Sequence, residues 1–255
     1  MKNNSVRRIA QTALFIALAL VVRMFSVLIP IGGVGSMRIG VSEVFTKMPA
    51  LIFGPLYGGI ASGLVDILAQ VIKPEGAYIW PMLGVMVLGG AITGFVWGAV
   101  KNVSSRRLRI IFVIFCTSLA IFGAFNHRVL WAAEQNVWYT TLLRLKGQLP
   151  FATWGMYAAS LLGIIFLAFD IILEKKHPSS YNGNFLQLVV TVFTSDIVVT
   201  TLNTFVLRAY YEGLAKLPFW MVYIPRLIPD FVSTVIFAYL LSFLLKIHSK
   251  YTSNL

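Results

Sequence analysis

Residues 38–63 read RIGVSEVFTKMPALIFGPLYGGIASG and lie within a strongly hydrophobic chain. Pro49 and Pro55 interrupt the apolar pattern, small residues recur throughout, and Arg38 stands at the start. Proline and glycine indicate broken helices, and irregular backbone is tolerated in a membrane where it is buried in protein or lines a cavity. The stretch therefore predicts a binding pocket within the bilayer rather than a helix that only fills lipid.

The composition of the whole chain indicates an integral membrane protein. Of the 255 residues, 58% are hydrophobic and 12% are charged, whereas soluble domains carry about 25% charged residues. Apolar runs of roughly 18 or more residues recur, each long enough to cross a hydrocarbon core of ~30 Å as a helix. The alternation of a transmembrane β-barrel is absent, so we expect an all-α, polytopic membrane protein.

The basic residues predict the orientation of the chain in the membrane. In a soluble protein, the formal net charge of +12 would suggest nucleic acid as a partner. Here the basic residues concentrate at the N-terminus, after the fourth and sixth apolar segments, and at the C-terminus. We therefore expect a multi-pass protein with both termini in the cytoplasm, and we expect no binding of nucleic acid.

Eight hydrophobic segments can be drawn, and the second is too short to span a bilayer upright. They cover residues 9–29, 41–53, 55–72, 80–100, 108–125, 151–173, 185–207 and 221–245. Two polar, turn-rich linkers, 102–107 and 174–183, bracket the fifth and sixth segments, which have the pattern of a separable hairpin. The loop within that hairpin, 126–150, is expected to hold an interfacial amphipathic helix.

Several charged residues are predicted to lie at membrane depth. Each costs about 3 kcal/mol on insertion scales unless it is paired or faces a cavity. They are Arg23, Glu43, Lys47, Asp66, Asp196 and Asp230. Arg226 and Asp230 stand one helical turn apart, a spacing that suits an internal ion pair, and Asp196 is interpreted as a structural residue that bonds a neighbouring helix.

Cations and aromatic rings combine at the predicted outer ends of the segments. Arg38, Lys73 and Arg226 fall there against the orientation rule, and Tyr78 and Trp80 lie in the outer turn between the third and fourth segments. If these loops converge, they form a pocket with rings for a flat ligand and cations for a carboxylate. The alternative is an ordinary aromatic belt with scattered loop charges.

Small residues four positions apart predict close helix packing. The glycine pairs 54/58, 59/63, 90/94 and 94/98 are interpreted as contacts inside the protein. Ala13 and Ala17 form a similar pair on the first helix, where a partner subunit could dock.

No catalytic motif is present in the sequence. HExxH, GxSxG and GxxxxGK[ST] are all absent, and the three histidines do not cluster along the chain. We therefore expect no enzyme activity, no metal and no cofactor. Two alternatives stay open: an intramembrane enzyme that uses Glu43, Asp66 and Asp230, and a membrane assembly protein that recruits a partner through the hairpin.

The sequence resembles the substrate-binding S components of energy-coupling-factor (ECF) vitamin transporters, most closely the folate-type branch. Four features carry the resemblance: the Ala13–Ala17 pattern, IPIGGVGSMRIGVSEV at 29–44, MPALIFGPLYGGIASGLVDILAQVIKPEGAYIWP at 48–81, and the pair TTLNTFVL at 200–207 and IPRLI at 224–228. The match covers roughly residues 8–100 and 185–248.

The resemblance implies a single membrane domain with a six-helix core. Residues 8–101 would supply the first four core helices, 185–248 the last two, and 102–184 an inserted helical hairpin. The first outer loop would cover a vitamin site. The resemblance also implies a transmembrane coupling subunit, which the face bearing Ala13 and Ala17 would contact, and two cytoplasmic ATPase subunits, in a bacterial cytoplasmic membrane.

Our hypothesis at this stage is an S component that imports a small aromatic vitamin, with folate as the first candidate. Residues of three kinds would bind it. Anionic groups would be held by Arg38, Lys73 and Arg226, the ring would stack on Tyr78 and Trp80, and the polar edge would be hydrogen-bonded by Asp66 and Asn203.

Overall fold

The computed structural model describes residues 2–31, 34–74, 76–132, 136–144, 149–176 and 184–253, of which 2–4, 27–31, 34–39, 151 and 251–253 are given by their backbone alone. Helices dominate, with one pair of short strands. The order is α1 (Lys2–Arg23), β1 (Val27–Ile31), β2 (Val34–Ile39), α2 (Ser42–Phe53), α3 (Pro55–Ile72), α4 (Trp80–Val100), α5 (Ser105–Ala132), α6 (Val137–Arg144), α7 (Leu149–Ala152), α8 (Trp154–Lys176), α9 (Phe185–Tyr210), α10 (Glu212–Ala215) and α11 (Phe219–Ser253).

The expected membrane architecture is confirmed. Within the described residues, seven helices are long and apolar enough to cross a bilayer, namely α1, α3, α4, α5, α8, α9 and α11. α2 has 12 residues and therefore spans only about 18 Å. The second segment is thus a partial helix, as its length predicted.

The connection after α1 differs from the prediction. The apolar run suggested a helix to Ile29, but α1 ends at Arg23 and β1 begins at Val27. β1 pairs with β2 in antiparallel register, with a bulge between Ile29 and Pro30. From the sequence, Gly32, Gly33 and Gly35 are interpreted as a flexible loop. Gly35 lies in β2, whereas Gly32 and Gly33 are outside the described residues.

The joint between α2 and α3 explains the FGP sequence. Gly54 has φ +93°, a left-handed conformation that residues with a Cβ rarely adopt, so it lets the chain break direction. Pro55 is the first residue of α3, where its missing N–H has no helical partner to lose. The break allows α2 to end within the bundle and α3 to start at once beside it.

Glycines bring α3 and α4 into close contact. A Cβ at Gly90 would lie 2.2 Å from the carbonyl oxygen of Gly58, and one at Gly94 would lie 2.6 Å from Pro55. Only a hydrogen atom fits at these two positions. Gly90 and Gly94 therefore pack inside the protein, in agreement with the interpretation of the glycine pairs.

The α5–α8 pair packs on the rest of the bundle. Phe112 and Met156 of this pair belong to the same buried apolar cluster as Phe185 of α9 and Phe231 of α11. Arg109 forms an ion pair with Glu174 across the two helices. The pair that the linkers had marked as a separable hairpin therefore shares the main core. α6 lies in the loop where an amphipathic helix was expected.

Candidate functional site

A cavity of about 320 Å³ lies among helices α2, α3, α4, α9 and α11. This volume is at the small end of the range of roughly 300–1,000 Å³ that is typical of ligand sites. The α3–α4 turn, residues 76–79, and Tyr211 line one end, and the helices line the rest. Broken helices and close glycine contacts thus enclose a space within the membrane bundle, as the first quoted stretch predicted.

Four of the seven predicted ligand contacts line this cavity: Asp66, Tyr78, Asn203 and Arg226. Asp66 on α3 is held from two sides. Its Oδ1 lies 3.4 Å from Nη2 of Arg23 on α1, and its Oδ2 accepts a hydrogen bond of 2.8 Å from the Tyr78 hydroxyl. The contacts fix the α3–α4 turn over the cavity and join it to α1.

Tyr78 is held in its neutral form. Burial raises the pKa of Tyr78 from its ordinary 10.0 to about 12, and the hydrogen bond to the Asp66 carboxylate acts in the same direction. The phenol therefore serves as a hydrogen-bond donor throughout the physiological pH range.

Arg226 and Asp230 on α11 are each bonded to a threonine of α9. Arg226 is buried, and its Nη1 donates to Oγ1 of Thr204 at 2.9 Å. Oγ1 of Thr200 donates to Oδ2 of Asp230 at 2.5 Å. Arg226 and Asp230 still attract each other electrostatically across one helical turn. They form no direct ion pair, so the close contact expected from their spacing was wrong.

Asn203 presents a buried amide to the cavity. Its side chain lies on α9 and is 8% exposed, and its Oδ1 accepts no hydrogen bond from the described residues. A buried acceptor without a donor costs about 1–3 kcal/mol. Such a group is expected to be satisfied by a ligand or by water.

The floor of the cavity holds charges that were not among the predicted ligand contacts. Nζ of Lys47 on α2 lies 2.5 Å from Oδ1 of Asp196 on α9 and 3.6 Å from Oε2 of Glu43. Thr234 of α11 donates to Oδ2 of Asp196 at 3.0 Å. Asp196 thus bonds a neighbouring helix, as interpreted. The sequence feature that marks Glu43, Lys47 and Asp196 is the position of a charged residue far inside an apolar segment.

The remaining predicted contacts lie elsewhere or are not described. Lys73 is exposed, with Nζ 3.4 Å from the carbonyl oxygen of Met24, and it does not line the cavity. Trp80 is 70% exposed and meets the ring of Tyr78 edge-on at 5.0 Å. Arg38 pairs with Leu28 through the backbone of β2, but its side chain is outside the described residues.

The acidic residues of the enzyme alternative all line the cavity. Glu43, Asp66 and Asp230 face Lys47, Arg23 and Thr200 respectively. The histidine of α5, His127, lies in the α5–α8 region against Trp154. In the part of the chain that the structure describes, no three His, Cys, Asp or Glu side chains are grouped to hold a metal ion.

The predicted partner contacts lie on an open face of α1. Ala13 and Ala17 are exposed, whereas Ile16 and Ala19 on another side of the helix pack against Ala61 and Val65 of α3. Among the described residues, the exposed positions of Ala13 and Ala17 therefore give no reason for small side chains.

Comparison with known proteins identifies the family. The sequence model described as "ECF-type riboflavin transporter, S component" matches residues 3–144, more than half of the chain. The chain belongs to this family of S components. Folate transporter FolT of Clostridium novyi (strain NT) is 35% identical over 71 residues, which are 28% of this chain and 41% of that relative. No solved structure matches.

Two conclusions follow from the family match. It belongs to a family of transporter subunits rather than enzymes, in agreement with the absence of catalytic motifs from the sequence. The matched range extends from α1 through α6, so it includes the first half of the region interpreted as an insertion. The boundaries 102–184 for an inserted hairpin stay a prediction.

Proposed function

We propose that this S component is the substrate-binding subunit of an ATP-driven importer and that it binds a small aromatic vitamin in the cavity among α2, α3, α4, α9 and α11. The observation that carries the proposal is a ligand-sized cavity within the bundle, lined by Asp66, Asn203 and Arg226. Polar groups at this depth are costly and mark binding sites or pathways in membrane proteins.

The two comparisons favour different vitamins. The family description names riboflavin, whereas the relative of Clostridium novyi is a folate transporter. The folate-type resemblance of the sequence supports the second. Both vitamins contain a flat heteroaromatic ring with hydrogen-bonding edges, and that shared chemistry suits an amide, a carboxylate and a guanidinium around one cavity.

The proposed roles follow from position. Asp66 and Asn203 hydrogen-bond the polar edge of the ring, Arg226 binds an acceptor group, and Tyr78 lies at the end of the cavity as its wall. Arg38, Lys73 and Trp80 are proposed to act at the entrance, where the β1–β2 hairpin and the α3–α4 turn are connected to the cavity helices.

Energy and release require other subunits. The sequence contains no phosphate-binding loop, so hydrolysis of ATP is assigned to two cytoplasmic ATPase subunits. A transmembrane coupling subunit contacts α1 at Ala13 and Ala17. The complex is placed in a bacterial cytoplasmic membrane, with both termini of this chain in the cytoplasm.

The experiment that tests the function is thermal unfolding of the detergent-purified chain with a panel of water-soluble vitamins. A ligand that binds only the folded protein stabilises it by about 4 kcal/mol at a thousandfold excess over its Kd. We expect one aromatic vitamin to raise the melting temperature clearly. Arg226→Met should remove that increase, and Arg128→Met in α5 should keep it. No stabilisation by any vitamin would contradict the proposal.

A further inference from the structure

One end of the α5–α8 pair carries a group of exposed cations outside the cavity. They are Lys101 after α4, Arg106 and Arg107 in the first turn of α5, and Lys175 and Lys176 at the end of α8. The ion pair between Arg109 and Glu174 joins the two helices at this end. The start of α5 and the end of α8 therefore lie side by side, and the basic residues next to this pair share one surface.

α11 brings a further cation to the same end. A Cβ at Gly163 of α8 would lie 3.5 Å from the ring of Phe231 on α11. Farther along both helices, Phe169 meets Tyr239 at 5.7 Å between ring centres, so α8 and α11 run in the same direction. Lys246 stands seven residues beyond Tyr239, and α8 ends seven residues beyond Phe169. Lys246 therefore reaches the level of the last residues of α8.

The carboxylates at this end are already engaged. Arg109 pairs with Glu174, and its Nη2 lies 3.9 Å from Oδ2 of Asp170. In the part of the chain that the structure describes, none of the other six cations forms an ion pair with a carboxylate. Arg106 and Arg107 also stand in the first turn of a helix, where the macrodipole disfavours a cation. Contacts within the described chain therefore do not account for this basic surface.

Exposed apolar side chains continue directly from the cations. Ile110 and Ile111 follow the basic first turn of α5, Ile172 lies one turn before Lys176 on α8, and Phe243 lies close to the end of α11, all of them exposed. A ligand that matches both parts of this surface needs an anionic head next to apolar chains. An acidic protein surface would match the cations alone.

We propose that the end of the bundle formed by α5, α8 and α11 binds an anionic phospholipid. Its phosphate lies between the arginines of α5 and the lysines of α8, and its acyl chains follow the exposed apolar side chains of the same helices. Clusters of Lys and Arg next to membrane helices attract anionic headgroups, and the guanidinium fork of arginine suits a phosphate. None of these cations lines the cavity, so the lipid site is independent of the vitamin.

Native mass spectrometry of the full-length chain in detergent tests the proposal. Phosphatidylglycerol and phosphatidylcholine with the same acyl chains are compared, and we expect phosphatidylglycerol to bind at least about tenfold more tightly. Equal binding would overturn the proposal, because the cations would then serve only to orient the chain. Glycerol 3-phosphate, which carries the charge without the chains, should not displace the lipid. Displacement by this compound would indicate a site for soluble anions and would also overturn the proposal.

Double variants locate the site. Arg106→Gln combined with Arg107→Gln should reduce the preference for phosphatidylglycerol at least about fivefold. Lysine at both positions keeps the charge and should retain most of the preference. The control is Arg128→Gln combined with Lys216→Gln, which removes two exposed cations near the far end of α5 and after α10. Equal losses in the two glutamine variants would mean that only net charge matters and would overturn the assigned site.

The α8 side of the surface provides a second variant. Lys175→Gln combined with Lys176→Gln should also reduce the preference for phosphatidylglycerol, because these lysines face the same headgroup. All the substituted side chains are exposed, and melting temperatures in detergent without added lipid verify that each variant folds. A preference that is unchanged in both the α5 and the α8 variants would overturn the proposal.

Discussion

At the scale of the residue, Lys47 occupies the most demanding position. It is 8% exposed and lies 2.5 Å from Asp196 on a different helix. Breaking a buried ion pair from one side leaves an uncompensated charge and costs about 3–5 kcal/mol. We expect Lys47→Met to lower the free energy of unfolding in detergent by that amount.

A double variant distinguishes the pair from general packing. Replacing both charges with apolar side chains of similar size is often close to neutral, so Lys47→Met combined with Asp196→Leu should recover most of the stability. If the double variant loses as much stability as the two single variants added together, the ion pair is not the cause.

Tyr78 gives a prediction in pH. Its folded-state pKa is raised from 10.0 to about 12 by burial and by the bond to Asp66. A raised pKa means that the folded protein holds the proton of Tyr78 more tightly than the unfolded chain does. The protonated side chain therefore contributes to the free energy of unfolding in full below about pH 10, and this contribution is lost as the pH rises to about 12. The free energies of unfolding of the wild type and of Tyr78→Phe, measured from pH 7 upwards, should therefore converge between about pH 10 and pH 12. A constant difference in the free energy of unfolding between the two proteins over this pH range would show that the Tyr78 proton is not linked to folding.

The sequence predicted some of the residues that line the cavity and assigned others that do not line it. Asp66 stood in an apolar helix, where a polar side chain must face a cavity or a partner. Arg226 was one of the cations at a predicted outer end, and Asn203 was assigned with the family resemblance. All three line the cavity. Lys73 and Trp80 were assigned because a cation and an aromatic ring fell together at the predicted outer end of the third and fourth segments. Which side of a turn faces the cavity depends on packing between distant segments, and no local pattern contains that information.

At the scale of the element, the contact between α3 and α4 depends on glycine. A Cβ at Gly90 would lie 2.2 Å from a backbone oxygen of α3, whereas at Gly98, later on the same helix, it would meet nothing within 4 Å. We expect Gly90→Ala to force the helices apart and to destabilise the protein by about 1–3 kcal/mol. Gly98→Ala should be neutral or stabilising by up to about 1 kcal/mol.

Both glycine variants are compared by their melting temperatures in the same detergent. Equal effects at Gly90 and Gly98 would mean that the close approach does not contribute to stability. Because Gly90 also lines the cavity, a destabilised Gly90→Ala should bind the vitamin more weakly as well.

Helix limits were more predictable than the β-hairpin. α3 and α4 begin and end where the sequence indicated, because Pro55 and the apolar run between Trp80 and Val100 leave little choice. The strands β1 and β2 contain glycine and proline instead of alternating polar and apolar residues, so the period-2 signal was absent.

At the scale of the whole molecule, α5 and α8, the two long helices of the region 102–184, pack with α9 and α11 in the main core. Phe115 of α5 meets Phe193 of α9 at 5.5 Å and Phe231 of α11 at 5.1 Å between ring centres. Cys116 is fully buried, and a Cβ at Gly163 of α8 would lie 2.8 Å from its sulfur. Any movement of the S component in the membrane must therefore carry α5 and α8 along with α9 and α11.

The surface of α1 supplies the last prediction. Ala13 and Ala17 are exposed on this helix, and neither belongs to the buried cluster that α1 forms with α3 in the described part of the chain. Small residues let a second helix approach closely, so Ala13→Trp and Ala17→Trp should block association with the coupling subunit. Vitamin binding by the isolated chain should be unchanged, because neither residue lines the cavity.

The measurement pairs co-purification of the coupling and ATPase subunits with vitamin uptake into proteoliposomes. Ile114→Trp on the exposed surface of α5 is the control, since it also places a tryptophan on an exposed helix surface but on a different helix. Loss of uptake and of co-purification in the α1 variants, with wild-type behaviour of the control, assigns α1 as the docking helix. Normal uptake by both alanine variants would move the interface to another helix, and binding to the cavity would then have to be coupled to the partner through a different surface.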